Sequence, residues 1–432
     1  MNHDDDPDNS VAANMAITPQ RMRDMDCDQQ GIEWSFFAPT TRASFRDQRI
    51  LSYRNYRNKS IPHNTIDAHL HNPTTTSRFY TFSYTLSRHP FKCSEYHFQL
   101  RNLLYATDKQ SCLYSCLDTV RVWDSAFKDS RGPVIKCPSH FRVSTISASA
   151  ATECLKRIVL MGSFAGEICV KVLGEPDDSQ QVEPRMAVVT TDPMGITNHV
   201  ELKEDRNGVP IGIISSNDNA ARLMNMDRLQ ITSEFDFPWA VNCASLSPDK
   251  RLICVSGDHT DSSIVSADSG DEAIQLTGHI DFSFACAWSP CGRYVATGNQ
   301  DITTRVYDVR NASKALVVLP AVMGAVRSLR FTDDGAFLAA AEPCDFVHVY
   351  DFAGSLPSAN AAAGSRSGTG PLGTDAFRSQ VIDFFGEISG ISFTPDGGDT
   401  LFVGVSDARY GSILEYERKR WAGEQFLSSV VL

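Results

Sequence analysis

The chain has 432 residues, 42% of them hydrophobic, enough to bury one large core or two ordinary ones. Its net charge is −12 and its pI about 5.4, so no global positive field gathers nucleic-acid phosphates. The acidic start MNHDDDPDNS lacks the apolar stretch of a secretory signal, and the longest nearly apolar run, Ala315 to Val326, is too short for a bilayer and broken by Pro320 and Gly324, which argues against export and membrane insertion.

In chain order, residues 1–41 are rich at first in Asp, Asn and Gln and show no period of 2 or 3.6, which predicts a disordered acidic tail. Residues 42–77 form a basic, aromatic lead-in arm. Its stretch SFRDQRILSYRNYRN interleaves arginine with Phe45, Tyr53 and Tyr56, and the arm carries Arg42, Arg46, Arg49, Arg54, Arg57 and Lys59. Such a pattern can stack on bases and neutralise phosphates of single-stranded RNA. The favoured alternative, given the adverse total charge, is an arm lying on the acidic body of its own protein. His63, His69 and His71 lie in the same arm without cysteine or paired carboxylate neighbours, so a surface loop is expected there rather than a metal clip.

From residue 78 to 420 the texture changes to short apolar strands separated by turn residues. Segments starting at Ala240, Phe282 and Gly324 align without gaps in their central parts: alternating apolar residues, a turn (SPDK, SPCG or TDDG), a second strand, a polar turn, and a third strand. Val265, Tyr307 and Tyr350 stand at equivalent positions, and EAIQL and KALVVL supply a fourth strand between copies. Fainter copies start at Tyr96, Val143, Ile196 and Gly386, bringing the count to seven. RFYTFSYTL at Arg78 to Leu86 alternates correctly for the outer strand that the seventh copy needs, and FLSSVVL in the tail 421–432 is its rival. Residues 354–377 are a Gly/Ser/Ala-rich insertion, expected as a flexible rim loop. Cys112 and Cys116 are read as small core residues, and the twelve cysteines as reduced thiols of a cytoplasmic or nuclear protein.

The spacing of Gly278-His279, Trp288-Ser289-Pro290, Asp301 and Tyr307-Asp308 resembles the WD-repeat signature. More narrowly, HFQLRNL, LTGHIDFSFACAWSPCGRYVATGNQD and AEPCDFVHVYD resemble an uncharacterised, transducin-like family of WD-repeat proteins of fungi and plants. The resemblance implies an all-β fold, a seven-bladed WD-repeat β-propeller. It also implies a buried hydrogen-bonded set in which His279, Thr297, Asp301 and Tyr307 tie the turns of one blade together, Tyr307 replacing the usual Trp.

The rival reading makes His279 and Asp301 a dyad activating Ser283 or Thr297, but no oxyanion-hole turn or nucleophile elbow accompanies them. No phosphate-cradling, dinucleotide or zinc-protease motif occurs elsewhere, so no enzyme activity and no cofactor is expected. Function is then expected on loops before the first strand and after the second. These carry Asn217, Asp218, Asp236, Trp239, Asp281, Phe282, Gln300 and Glu342. Trp239 and Phe282 are the candidate anchors, and the carboxylates suit a basic peptide or protein partner of a monomeric scaffold. Arg310 in YDVR matches the arginine of the Trp-Asp-x-Arg box of cullin–RING ligase substrate receptors, which offers a second reading; a solvated arginine paired with Asp308 is the plainer one.

Overall fold

The structure, a computed structural model, describes residues 15–62, 64–67, 70–75, 78–87, 92–94, 97, 102–149, 157–173, 183–355, 377–407 and 410–420. Residues 1–14, His63, His69, most of the 354–377 insertion and the tail 421–432 lie outside the described residues.

The described strands build seven antiparallel four-stranded blades. The first blade runs Leu104–Ala106, Ser111–Cys116, Thr119–Asp124 and Asp129–Lys136. The fifth, which holds the expected hydrogen-bonded set, runs Ser283–Trp288, Tyr294–Asn299, Thr303–Asp308 and Val317–Pro320. Alternation explains why these segments are strands: in each, one set of side chains faces the neighbouring blade, and the apolar clusters are mostly shared between blades. One long strand, Ser379–Phe393, serves two blades. Its first part pairs with Cys344–Asp351 as the outer strand of the sixth blade, and its second part pairs with Thr400–Ser406 as the inner strand of the seventh.

The ring closes as the alternation near residue 80 suggests. Tyr80–Ser87 pairs antiparallel with Ser412–Arg418 and becomes the outer strand of the seventh blade. Closure is reinforced inside by the Leu103 N–H on the Ser389 carbonyl at 2.9 Å. Further out, the Trp123 indole N–H donates to the buried Glu415 carboxylate, which also takes Lys128 Nζ at 2.5 Å. A ring so joined leaves no blade face uncovered.

Neighbouring inner strands share a recurring device. Registers shift at Ser144, Asn198, Asn242 and Phe284, each the second residue of its strand, and at Ser389, the third residue of the segment paired in the seventh blade. Three of these bulged residues reach the next blade: Ser144 Oγ to the Thr197 carbonyl at 2.5 Å, Asn198 Nδ2 to Val241 at 2.9 Å and Asn242 Nδ2 to Ser283 at 3.0 Å.

The expectation of disorder over 1–41 does not hold from residue 15 on. Met15–Ile17 pairs with the outer strand Tyr80–Ser87, helix α1 spans Pro19–Met25 with Thr18 as its N-cap, and Trp34–Phe37 form a short 3-10 turn. Helix α2, Arg42–Ser52, follows, opened by a capping box of Thr41 and Ser44. The acidic composition at the very start masked these elements, which are held by contacts far along the chain: Gln29 and Gln30 donate to the Asp383 and Phe385 carbonyls.

Candidate functional site

In the fifth blade, the turn after the second strand places Asp301 over the loop before the first. His279 Nδ1 lies 2.8 Å from Asp301 Oδ2, and His279 Nε2 lies 2.9 Å from the Thr297 hydroxyl. Asp301 also accepts the Thr303 hydroxyl at 2.6 Å and the amides of Thr303 and Ile280. Burial raises its pKa, but the His279 ring, the Thr303 hydroxyl and the Ile280 amide outweigh burial and hold the carboxyl below the usual range. The Tyr307 hydroxyl is hydrogen-bonded to Thr297 and also donates to the Thr277 carbonyl at 2.9 Å. The phenol thus pins the backbone ahead of His279 as well as joining the side-chain set. Ser283 accepts from Asn299 Nδ2 at 2.9 Å and has no place beside the imidazole. All four residues of the set are buried, so the set can hold turns together but offers no surface to a substrate.

The sixth blade solves the same problem with different residues. Glu342, expected on the rim, is fully buried: its carboxylate caps the amides of Val322, Met323 and Gly324 at 2.7, 2.9 and 2.6 Å and meets His348 Nε2 at 2.8 Å. It therefore takes the role that Asp301 and His279 share in the fifth blade. In the sequence Glu342 is only a glutamate that follows an apolar strand, with a histidine at 348 on the next.

Asp345, at the bulge that opens the strand Cys344–Asp351, is left to bind the arm. Arg46 Nη1 meets Asp345 Oδ2 at 2.6 Å, and Arg49 holds the same carboxylate with two nitrogens at 2.5 and 2.9 Å. Arg46 also reaches Asp383 and the Phe384 carbonyl, its guanidinium lying 4.6 and 4.0 Å from the Phe346 and Phe385 ring centres. Arg42 joins Asp383 at 3.0 Å. Ile50 and Tyr53 pack on Met323, Cys344 and Phe346. Beyond the helix the arm continues across the fifth blade. Asn55 and Gln300 exchange hydrogen bonds, the Asn58 N–H donates to Asp281 Oδ2 at 3.0 Å, and Lys59 stands 5.3 Å from the Phe282 ring centre. His71, one of the three arm histidines, pairs with the Val318 backbone at the blade's outer edge.

Five of the eight rim candidates are thus occupied from within: Asp281, Phe282 and Gln300 by the arm, Glu342 by its own loop and Asp218, its side chain 5% exposed, by Arg222. Asn217, Asp236 and Trp239 stay open beside Asp218 over the third and fourth blades. Asp236 is exposed, Asn217 donates to the Met194 carbonyl at 3.1 Å, and Asp218 is held by Arg222 at 2.8 Å. Trp239 is half-buried, 4.8 Å from the Phe237 ring and 6.2 Å from that of His259. Beside Asn217, Asp192 is exposed and Met194 is 65% exposed, two residues that the strand alternation did not single out.

Arg310 lies outside this face and keeps its side chain 63% exposed, with Nε and Nη2 on Asp308 at 3.0 and 2.8 Å. Its hydrogen bond, with help from Arg293, holds the Asp308 carboxyl down to about 2. Cys112 and Cys116 are buried and burial raises both thiols, as core residues require. Among the described residues no group of three or more His, Cys, Asp or Glu side chains could hold a metal ion, and no helix is long and apolar enough to cross a membrane.

The family described as WD domain, G-beta repeat matches residues 270–308, from the end of the fourth blade through the third strand of the fifth. Coronin-7 of Bos taurus is 33% identical over 146 residues, a match covering 32% of this chain and only 14% of the coronin. A chain in the crystal structure of the mitotic checkpoint complex aligns with a TM-score of 0.60 at 13% identity, covering 81% of this chain and 97% of that one. The WD40 β-propeller domain of Doa1 aligns with a TM-score of 0.56 at 15% identity, covering 79% and 99%. At such identities the solved structures speak to fold alone: the chain has the fold of WD40 β-propellers, and the one repeat match lies across the first three strands of its fifth blade.

Proposed function

We propose that the protein is a non-enzymatic scaffold that binds a protein or peptide through the open sector of its rim, at Asn217, Asp218, Asp236 and Trp239 with Asp192 and Met194. One observation carries this reading: the arm lies on the rim of the fifth to seventh blades, and among the described residues none covers this sector. An aromatic and a methionine at a loop mouth contribute apolar contact area, and the exposed carboxylates around them favour a basic segment. Affinity capture with quantitative mass spectrometry tests it. Partners recovered with the intact chain fall at least tenfold with Asp236→Lys and with Trp239→Ala; a partner set that ignores both changes contradicts the reading.

The same experiment weighs the alternatives. An RNA-binding arm is disfavoured because Arg42, Arg46 and Arg49 are engaged with Asp345 and Asp383, so nuclease treatment leaves the partners bound. Recovery of a cullin and its adaptor, lost on Arg310→Ala, would instead support the ligase-receptor reading.

A further inference from the structure

The arm shows, on its own molecule, how a basic linear segment sits on this rim. Over the fifth blade Asn55 bonds both the carbonyl and the side chain of Gln300, the Asn58 N–H meets Asp281, and Lys59 stands over the Phe282 ring. The fourth blade repeats these positions. Gln300 follows the second strand of its blade and gives its N–H to the Phe282 carbonyl at 2.8 Å; Asp258 follows the second strand of the fourth blade and gives its N–H to the Ala240 carbonyl at 3.0 Å. The strand pairings agree, Val241 facing Gly257 as Ser283 faces Asn299. Asp258 is therefore the counterpart of Gln300, and Trp239 that of Asp281. The fourth blade again offers one carboxylate and one ring, and among the described residues nothing from the arm meets either.

The two groups adjoin. Gly257, the residue before Asp258, lies under the Trp239 ring, and a Cβ there would collide with the indole, so a glycine is what lets the ring rest on the strand beside the carboxylate. Asp258 is half-buried, and its carboxylate accepts from Asn242 Nδ2 at 2.8 Å; among the described residues no cation pairs with it. Every residue from 183 to 355 is described, so the fourth blade and both its neighbours are complete around it. Burial, with the nearby charge of Asp281, holds its carboxyl above the ordinary range against the one Asn242 hydrogen bond. Such a carboxylate is costly to the fold. A neutral group leaves that cost in place, and an anion is repelled by Asp258 and Asp281 together. A lysine or arginine gives the carboxylate its partner while the methylenes lie along the indole.

We propose that Trp239 and Asp258 are the seat of a lysine or arginine side chain on a linear partner peptide, which lies across the fourth blade as residues 55–59 lie across the fifth. The proposal rests on the open-sector reading and adds to it the residue that reads the partner's charge.

The test is selection of a random heptapeptide display library against the intact chain, followed by fluorescence anisotropy with a synthetic peptide of the enriched pattern. Enrichment of Lys or Arg is expected, with at least a tenfold loss of affinity on Asp258→Asn and on Trp239→Ala. Replacing the enriched cation of the peptide by norleucine should cost as much in the parent chain and nothing further in Asp258→Asn. Asp258→Asn keeps the shape and an acceptor for Asn242, so it should leave the urea midpoint unchanged or raise it, whereas a carboxylate kept for structure would lower it. A library that enriches no cationic residue overturns the proposal, and so does affinity lost only together with stability. A selected peptide that binds Asp258→Asn as tightly as the parent chain overturns it too; if Asp236→Lys and Trp239→Ala still weaken that peptide, the open sector stands and only the seat at Asp258 fails.

Discussion

A buried carboxylate is costly unless donors surround it, and that rule locates the hydrogen-bonded set of the fifth blade at the level of single residues. Removing one partner of such a pair costs about 3–5 kcal/mol, so Asp301→Ala and His279→Ala should each lower the urea midpoint by that equivalent, whereas Ser283→Ala, away from the imidazole, costs far less. The pH dependence follows from the depressed Asp301 carboxyl. Its contribution is fully present above the ordinary carboxylate pKa and is lost as pH falls through the lower folded value. Acid titration of stability should therefore show a drop below the usual carboxylate range that is missing in Asp301→Asn. The next residue carries the opposite sign: Ile302 has φ +66°, a left-handed conformation adverse to a β-branched side chain, where the corresponding turns carry Gly166 and Asn219. Ile302→Gly should raise stability by about 1 kcal/mol, read as a higher urea midpoint.

At the scale of elements, strands and turns of the fourth to sixth copies were legible because alternation and the SPDK, SPCG and TDDG turns share one period. The arm was legible only in part. Its basic charge against an acidic body pointed to docking, but no local pattern shows that Asp345 and Asp383, about three hundred residues away, are its seats. Nor does local sequence reveal that Glu342 replaces a turn aspartate, because that role depends on the three amides of the facing loop. Residues such as Asp281 and Gln300 sit where rim positions should be and are nonetheless taken, since rim exposure is a property of the assembled chain. Arg46→Ala should strip Asp345 and Asp383 of their buried cation and make residues 42–59 susceptible to limited proteolysis while the blades stay intact.

For the whole molecule, the seven blades depend on one strand from the front of the chain. Tyr80–Ser87 caps the seventh blade, and Trp123 and Lys128 fasten the first blade to it through Glu415. Trp123→Phe keeps the ring's apolar bulk but removes the donor, and should cost about 1.5–3 kcal/mol in a denaturation experiment. The described parts of the arm and this strand act as a strap, which lies on the rim of the seventh, sixth and fifth blades and then closes the ring. Amide hydrogen exchange on the intact chain, read by mass spectrometry, tests that claim most directly. Arg42–Ser52 and Tyr80–Ser87 should be as protected as the inner blade strands, and Arg46→Ala should release the first segment while leaving the second. Exchange of both segments in the unaltered chain at the rate of an unstructured peptide would contradict the strap, and with it the division of the rim into covered and open sectors.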